Sequence, residues 1–154
     1  MTIIKHYTSV SQSKKLLELG LDPKTADMAY LKYADSNNLT PRFEGGLPMV
    51  LGDIPIDEVD CDTLACWSLC ALLDILPGVI YNKCRMYGWD IYPIPIDKNY
   101  RLAYIEFGNV NDPNYIEIVF YEVKDKTLIE TVYSMVIWLL ENGYIKKESN
   151  TSSK

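Results

Sequence analysis

The sequence has one histidine, His6, an excess of acid over base (21 against 15), and no long apolar run. Each shortage excludes a class of function. Nucleophilic catalysis by serine or cysteine usually relies on an imidazole, and the single one lies close to the chain start, so a histidine-dependent triad is not expected. A formal net charge of -6 opposes phosphate tracking, which needs clustered Lys and Arg, so no nucleic-acid partner is expected. The longest uninterrupted apolar run, Met135 to Leu140, falls far below the roughly 18 residues of a membrane span. The opening residues also lack the apolar segment of a secretory signal. No membrane partner and a cytoplasmic location are the expectation.

In that compartment the four cysteines are expected to be reduced. Cys66 and Cys70 share one face of a predicted helix, and Cys61 or His6 could add ligands. No second ligand pair at a zinc spacing exists, however, so neither a metal nor a cofactor is expected. Gly45-Gly46 is not followed by the Lys-Ser/Thr of a phosphate loop. The acidic run Asp53, Asp57, Glu58, Asp60 and Asp62 lacks the central glycine and terminal glutamate of a calcium loop, and reads as a solvated connection.

What is present is a chain of 154 residues with 48% hydrophobic side chains, enough to bury its own core. It reads as a single domain over residues 1–145 with a disordered tail, 146–154. A helix is predicted over Ser9–Gly20, where Ser9 with Gln12 makes a capping box and Gly20 with Leu21 a glycine stop. A second is predicted over Ala65–Leu76, with Leu69, Leu72, Leu73 and Leu76 as its apolar stripe. A third, Thr127–Asn142, repeats both end signals at Thr127, Glu130 and Gly143. Short strands are predicted at Met28–Tyr33 and Met49–Leu51, and a turn at Asp35–Asn38.

Between the second and third helices the period falls to two. Strands are predicted at Met86–Tyr92, Tyr100–Phe107 and Tyr115–Val123, joined by connections too short for a crossover helix, hence antiparallel. The fold class is therefore α+β, an antiparallel meander of three or more strands with about three helices packed mainly on one face. Alternation puts Tyr87, Trp89 and Ile91 with Ala103, Ile105 and Phe107, and with Ile116, Ile118 and Phe120, on the covered face. The opposite face then carries Asp90, Tyr92, Tyr104, Glu106, Tyr115, Glu117 and Tyr121. Ile137 and Trp138 interrupt the polar stripe of the third helix.

Three blocks, SKKLLELGLDPKTADM (Ser13–Met28), CWSLCALLDILP (Cys66–Pro77) and TLIETVYSMVIWLLENGYI (Thr127–Ile145), cover about a third of the chain. Their combination resembles a family of small uncharacterised proteins of gut Bacteroidales genomes, phages and prophages. The resemblance implies a compact intracellular domain associated with mobile elements, and it carries no activity and no catalytic residues.

Tyrosine is enriched at recognition surfaces. The functional expectation is therefore a non-enzymatic protein-interaction module, binding a protein partner or a second copy through Tyr92, Tyr104, Glu106, Tyr115, Glu117, Tyr121 and Trp138. The alternative is a small-molecule enzyme using Glu106 and Glu117 as a carboxylate pair. The acidity is local: residues 51–100 hold eight acidic against three basic side chains, residues 1–50 five against six.

Overall fold

The computed structural model describes residues 5–32, 42–43, 46–59, 62–108 and 111–148. The predicted turn at Asp35–Asn38, Gly45, Cys61 and the tail beyond Glu148 lie outside them. The protein is α+β, with helices α1 (Val10–Glu18), α2 (Leu69–Ile75) and α3 (Leu128–Glu141). Its strands are β1 (Met28–Leu31), β2 (Met49–Val50), β3 (Thr63–Cys66), β4 (Val79–Asn82), β5 (Arg85–Ile94), β6 (Asn99–Glu106) and β7 (Val119–Asp125). They form two antiparallel sheets, ordered β2-β1-β3 and β4-β5-β6-β7. The chain divides into two compact units, residues 1–75 with 146–154, and residues 76–145.

In the first unit α1 begins where the sequence says it should. The Ser9 hydroxyl accepts from the Gln12 N–H at 3.2 Å, and the Gln12 side chain accepts from the Ser9 N–H at 2.9 Å. Gly20 at φ 92° ends the helix, and the Leu21 N–H reaches back to the Leu16 carbonyl at 3.0 Å, with both leucines buried. The helix packs on β3. Tyr30, Leu64 and Cys66 centre a cluster that Tyr7, Val10 and Leu17 close. The Glu148 N–H, at the start of the expected tail, donates to the Gly20 carbonyl at 2.9 Å.

Residues 63–66, partly given to the second helix by the sequence reading, are instead strand β3, paired with β1 from Met28↔Cys66 to Leu31↔Thr63. Cys66 is therefore buried on a strand while Cys70 is exposed on α2, and they do not share a helix face. Trp67 lies in the link between β3 and α2, wholly buried, its indole N–H on the Thr25 hydroxyl at 2.9 Å. Ser68 starts the helix: its hydroxyl accepts from the Ala71 N–H at 3.2 Å and donates to Asp27.

In the second unit β4 and β5 make a hairpin that the sequence reading omits. Its two-residue turn puts Lys83 at φ 46° and Cys84 at φ 65°. Both angles are left-handed, as in the primed turns that favour Asn-Gly, and each costs a residue with a Cβ about 1 kcal/mol or more. Replacing Lys83-Cys84 with Asn-Gly is expected to stabilise the protein by about 1 kcal/mol, read as a higher urea midpoint at unchanged slope.

Helix α3 carries its Thr127 cap, with the Glu130 N–H donating to the threonine hydroxyl at 3.2 Å, and ends at Gly143, φ 76°. The Tyr144 N–H then returns to the Leu139 carbonyl at 2.9 Å. Val132, Met135, Val136 and Leu139 are fully buried along it, and the helix packs on β6 and β7.

Candidate functional site

The two faces of the four-stranded sheet follow from its register. Ile94 pairs with Asn99 across a four-residue turn. A loop of even length pairs odd positions with even ones, so Trp89 faces Tyr104 and Ile91 faces Leu102. The expectation that Trp89 shares a face with Ala103 and Ile105 is off by one residue, which transfers all of β6 to the other face. An irregularity in β7 completes the change: Tyr104 pairs with Tyr121 but Ile105 with Val119, leaving Phe120 as an extra residue. Such a bulge breaks the alternation. Phe120 and Tyr121, expected on opposite faces, both reach the same ring of α3.

That ring is Trp138. It stacks on Tyr121 with centroids 3.9 Å apart and planes 6° from parallel, meets Phe120 edge-on at 5.8 Å and Tyr144 at 5.4 Å. Phe120 in turn stacks on Tyr87 at 4.8 Å. Tyr104 is fully buried, with its hydroxyl on the Pro77 carbonyl at 2.8 Å, and burial pushes that hydroxyl above the ordinary tyrosine range. Tyr104, Tyr121 and Trp138 thus belong to the helix-covered side. Glu106, at the end of β6, is paired with Arg85 at 3.2 Å.

The outer face keeps Tyr92 and Glu117, and it gathers them around a residue the sequence reading passed over. Arg101 is buried in mid-strand. Its Nε donates to Glu122 at 2.5 Å, one terminal nitrogen to Glu117 at 2.8 Å, and the other to the Tyr92 hydroxyl. Burial opposes the guanidinium charge, but the bonds to Glu122, Glu117 and Tyr92 outweigh it and hold the proton more firmly than usual. The Arg101 bond likewise holds the Glu122 carboxyl below the ordinary carboxylate range, with Lys124 adding to it from 3.2 Å. This knot satisfies its own charges. Glu106 and Glu117 are engaged by different arginines, Arg85 and Arg101, and do not pair with each other as an acid and base.

At the other end of β6 the outer face opens into a cleft of about 260 Å³ whose lining includes Gly88, Asp90, Glu106, Phe107, Gly108 and Tyr115. Two glycines build it. A Cβ at Gly88 would lie 2.8 Å from the tip of the Phe107 ring, and one at Gly108 would lie 2.4 Å from the Tyr115 ring. Each aromatic therefore rests directly on backbone. Around the cleft Tyr81 and Phe107 are 67% and 58% exposed, and Met86, Ile116 and Ile118 are exposed as well. Gly88→Ala is expected to leave stability within about 0.5 kcal/mol, because only the free end of an exposed ring must move. The same change should swing Phe107 out of place, seen as a loss of the Phe107-to-Gly88 nuclear Overhauser contact.

The first unit has two larger hollows, each with some of its polar groups engaged. One, about 470 Å³, is lined by Tyr7, Ser9 and Tyr30 among others, with Ser9 in its capping box and the Tyr30 hydroxyl on the Thr8 carbonyl at 2.8 Å. The other, about 490 Å³, lies along the acidic connection, where Asp57 meets Lys24 at 3.7 Å. Cys66 is an inert thiol: burial pushes it up to about 11. His6 makes no side-chain hydrogen bond to a described residue. Among the described residues no group of three or more His, Cys, Asp or Glu is placed to hold a metal ion, and no helix is long and apolar enough to cross a membrane.

No family model, curated protein or solved structure matches the chain.

Proposed function

We propose that the chain is a non-enzymatic protein-interaction module that engages a partner through the outer face of the β4-β5-β6-β7 sheet. The carrying observation is the group of exposed large side chains, Tyr81, Met86, Phe107 and Ile118, near a cleft on that face. Monomeric proteins seldom leave such side chains contiguous in water, and aromatic residues and methionine are enriched where proteins meet. Of the residues expected from sequence, Tyr92, Tyr115 and Glu117 stay in this reading. Glu106 stays as part of the cleft lining, already paired with Arg85, and Tyr104, Tyr121 and Trp138 leave it, because they serve the side under α3. The resemblance to mobile-element proteins points to a host or phage protein as the partner.

Selection of a displayed random-peptide library on the full-length chain tests the proposal. Enriched peptides should lose at least tenfold in affinity when Tyr81 and Phe107 are both changed to Ser, and keep it when Leu47, exposed in the first unit, is changed to Ser. No enrichment, or binders indifferent to the Tyr81 and Phe107 changes, would overturn it. A concentration-dependent dimer abolished by the same two changes would assign the face to a second copy instead.

A further inference from the structure

We infer that the cleft between Phe107 and Tyr115 receives a cationic side chain, a lysine ammonium or arginine guanidinium, with Asp90 as its counter-ion. The inference rests on the binding face proposed above and names what that face selects. Its ground is an imbalance among the acids of the sheet. Glu106 is neutralised by Arg85 at 3.2 Å, and Glu117 and Glu122 by Arg101 at 2.8 and 2.5 Å. Asp90 lines the cleft, and no described cation lies within ion-pair distance of it. An exposed carboxylate with no partner is ordinary. One that shares a cleft with two aromatic rings is a different arrangement, because a cation there gains a charge partner and ring π-faces together.

Shape and charge agree with this occupant. Both rings sit on glycine backbone, and the cleft they line has about 260 Å³, room for one long side chain. Ile105 supplies apolar surface for an aliphatic stem, as amphipathic cations require. The unit that holds the cleft, residues 76–145, carries nine acidic against six basic side chains. That net negative charge draws cations to this unit and repels anions.

The test is a titration of the isotope-labelled full-length protein, followed by amide chemical shifts, with n-butylammonium chloride, a lysine side chain cut from its backbone. Propylguanidinium chloride is the arginine counterpart, and 1-butanol in matched sodium chloride is the neutral control. The amides of Gly88, Asp90, Ile105 and Gly108 should shift saturably with one or both cations and not with butanol. Asp90→Asn should weaken the cation about fivefold, the equivalent of one charge-assisted contact, and Phe107→Leu should weaken it while the fold is kept. An equal response to butanol, or indifference to Asp90→Asn, overturns the cation inference and leaves the apolar face standing. If neither probe shifts these amides and no selected peptide maps to them, the binding face fails with it.

Discussion

Replacing Arg101 with methionine is expected to cost about 2–3 kcal/mol of folding free energy. The guanidinium is buried and bonded at all three nitrogens, to Glu122, Glu117 and Tyr92. Removing it strands two carboxylates, and breaking a buried pair from one side typically costs about 3–5 kcal/mol. Here the glutamate side chains remain 37% and 42% exposed, so water recovers part of that loss and the lower range applies. Adding Glu117→Gln and Glu122→Gln to the methionine variant should return most of the stability, because no stranded carboxylate then remains and Lys124, which loses Glu122, is exposed enough to be solvated. If the triple variant is no better than the single one, packing around the Arg101 stem and not charge is what the residue supplies.

The same knot sets an acid dependence whose sign is fixed. Arg101 holds the Glu122 carboxyl below the ordinary range, so the unfolded chain binds that proton more readily than the folded one. The stabilisation is complete above the unfolded glutamate value of about 4.3 and is lost as pH falls through the lower folded value. Urea midpoints of the wild type and Arg101→Met should therefore differ most at neutral pH and converge in acid.

Trp67→Ala is expected to cost about 3–5 kcal/mol, the range for truncating a buried tryptophan. The ring is the largest fully buried side chain, and its N–H bond to Thr25 ties the start of α2 to the short helix that follows Asp22. Trp67→Phe keeps much of the area but leaves the Thr25 hydroxyl without this donor, for a loss of about 1–2 kcal/mol. Circular dichroism during denaturation separates the two variants. Equal midpoints would show that the bond to Thr25, and not the volume, is what matters.

These residues also mark how far the sequence could be read. Helices α1 and α3 were legible because their ends are chemical: Ser9 with Gln12, Thr127, and the glycines at 20 and 143 act through local backbone bonds that need no tertiary partner. Strand β3 was not, because Leu64, Ala65 and Cys66 are all buried, and a strand buried on both sides has no alternation to distinguish it from a helix. The β4–β5 hairpin was missed because Lys83-Cys84 carries none of the usual turn chemistry. Faces of the large sheet were assigned by period alone, and period cannot reveal an even loop before Asn99 or an extra residue at Phe120. Those two features moved Tyr104 and Tyr121 under the helix. Arg101 was overlooked because a lone arginine in a strand usually projects into water, and its three acceptors are 9, 16 and 21 residues away in sequence.

Tyr115 and Glu117, by contrast, were assigned to the outer face although the strand begins only at Val119. Residues 115–118 still bring them there, with the Ile118 carbonyl accepting from the Glu106 N–H at 2.9 Å. Of the two aromatic rings at the cleft, Tyr115 lies on the face expected from sequence and Phe107 on the face opposite to the one expected. These are the rings seated on Gly88 and Gly108.

The outer face as a recognition surface is tested most directly by the amide chemical-shift footprint of a library-selected peptide on the full-length protein. The account predicts that the largest changes fall on Gly88, Asp90, Ile105 and Gly108, and that they vanish when Tyr81 and Phe107 are changed to Ser. A footprint centred on α1, on β1 to β3, or on α3 would contradict it.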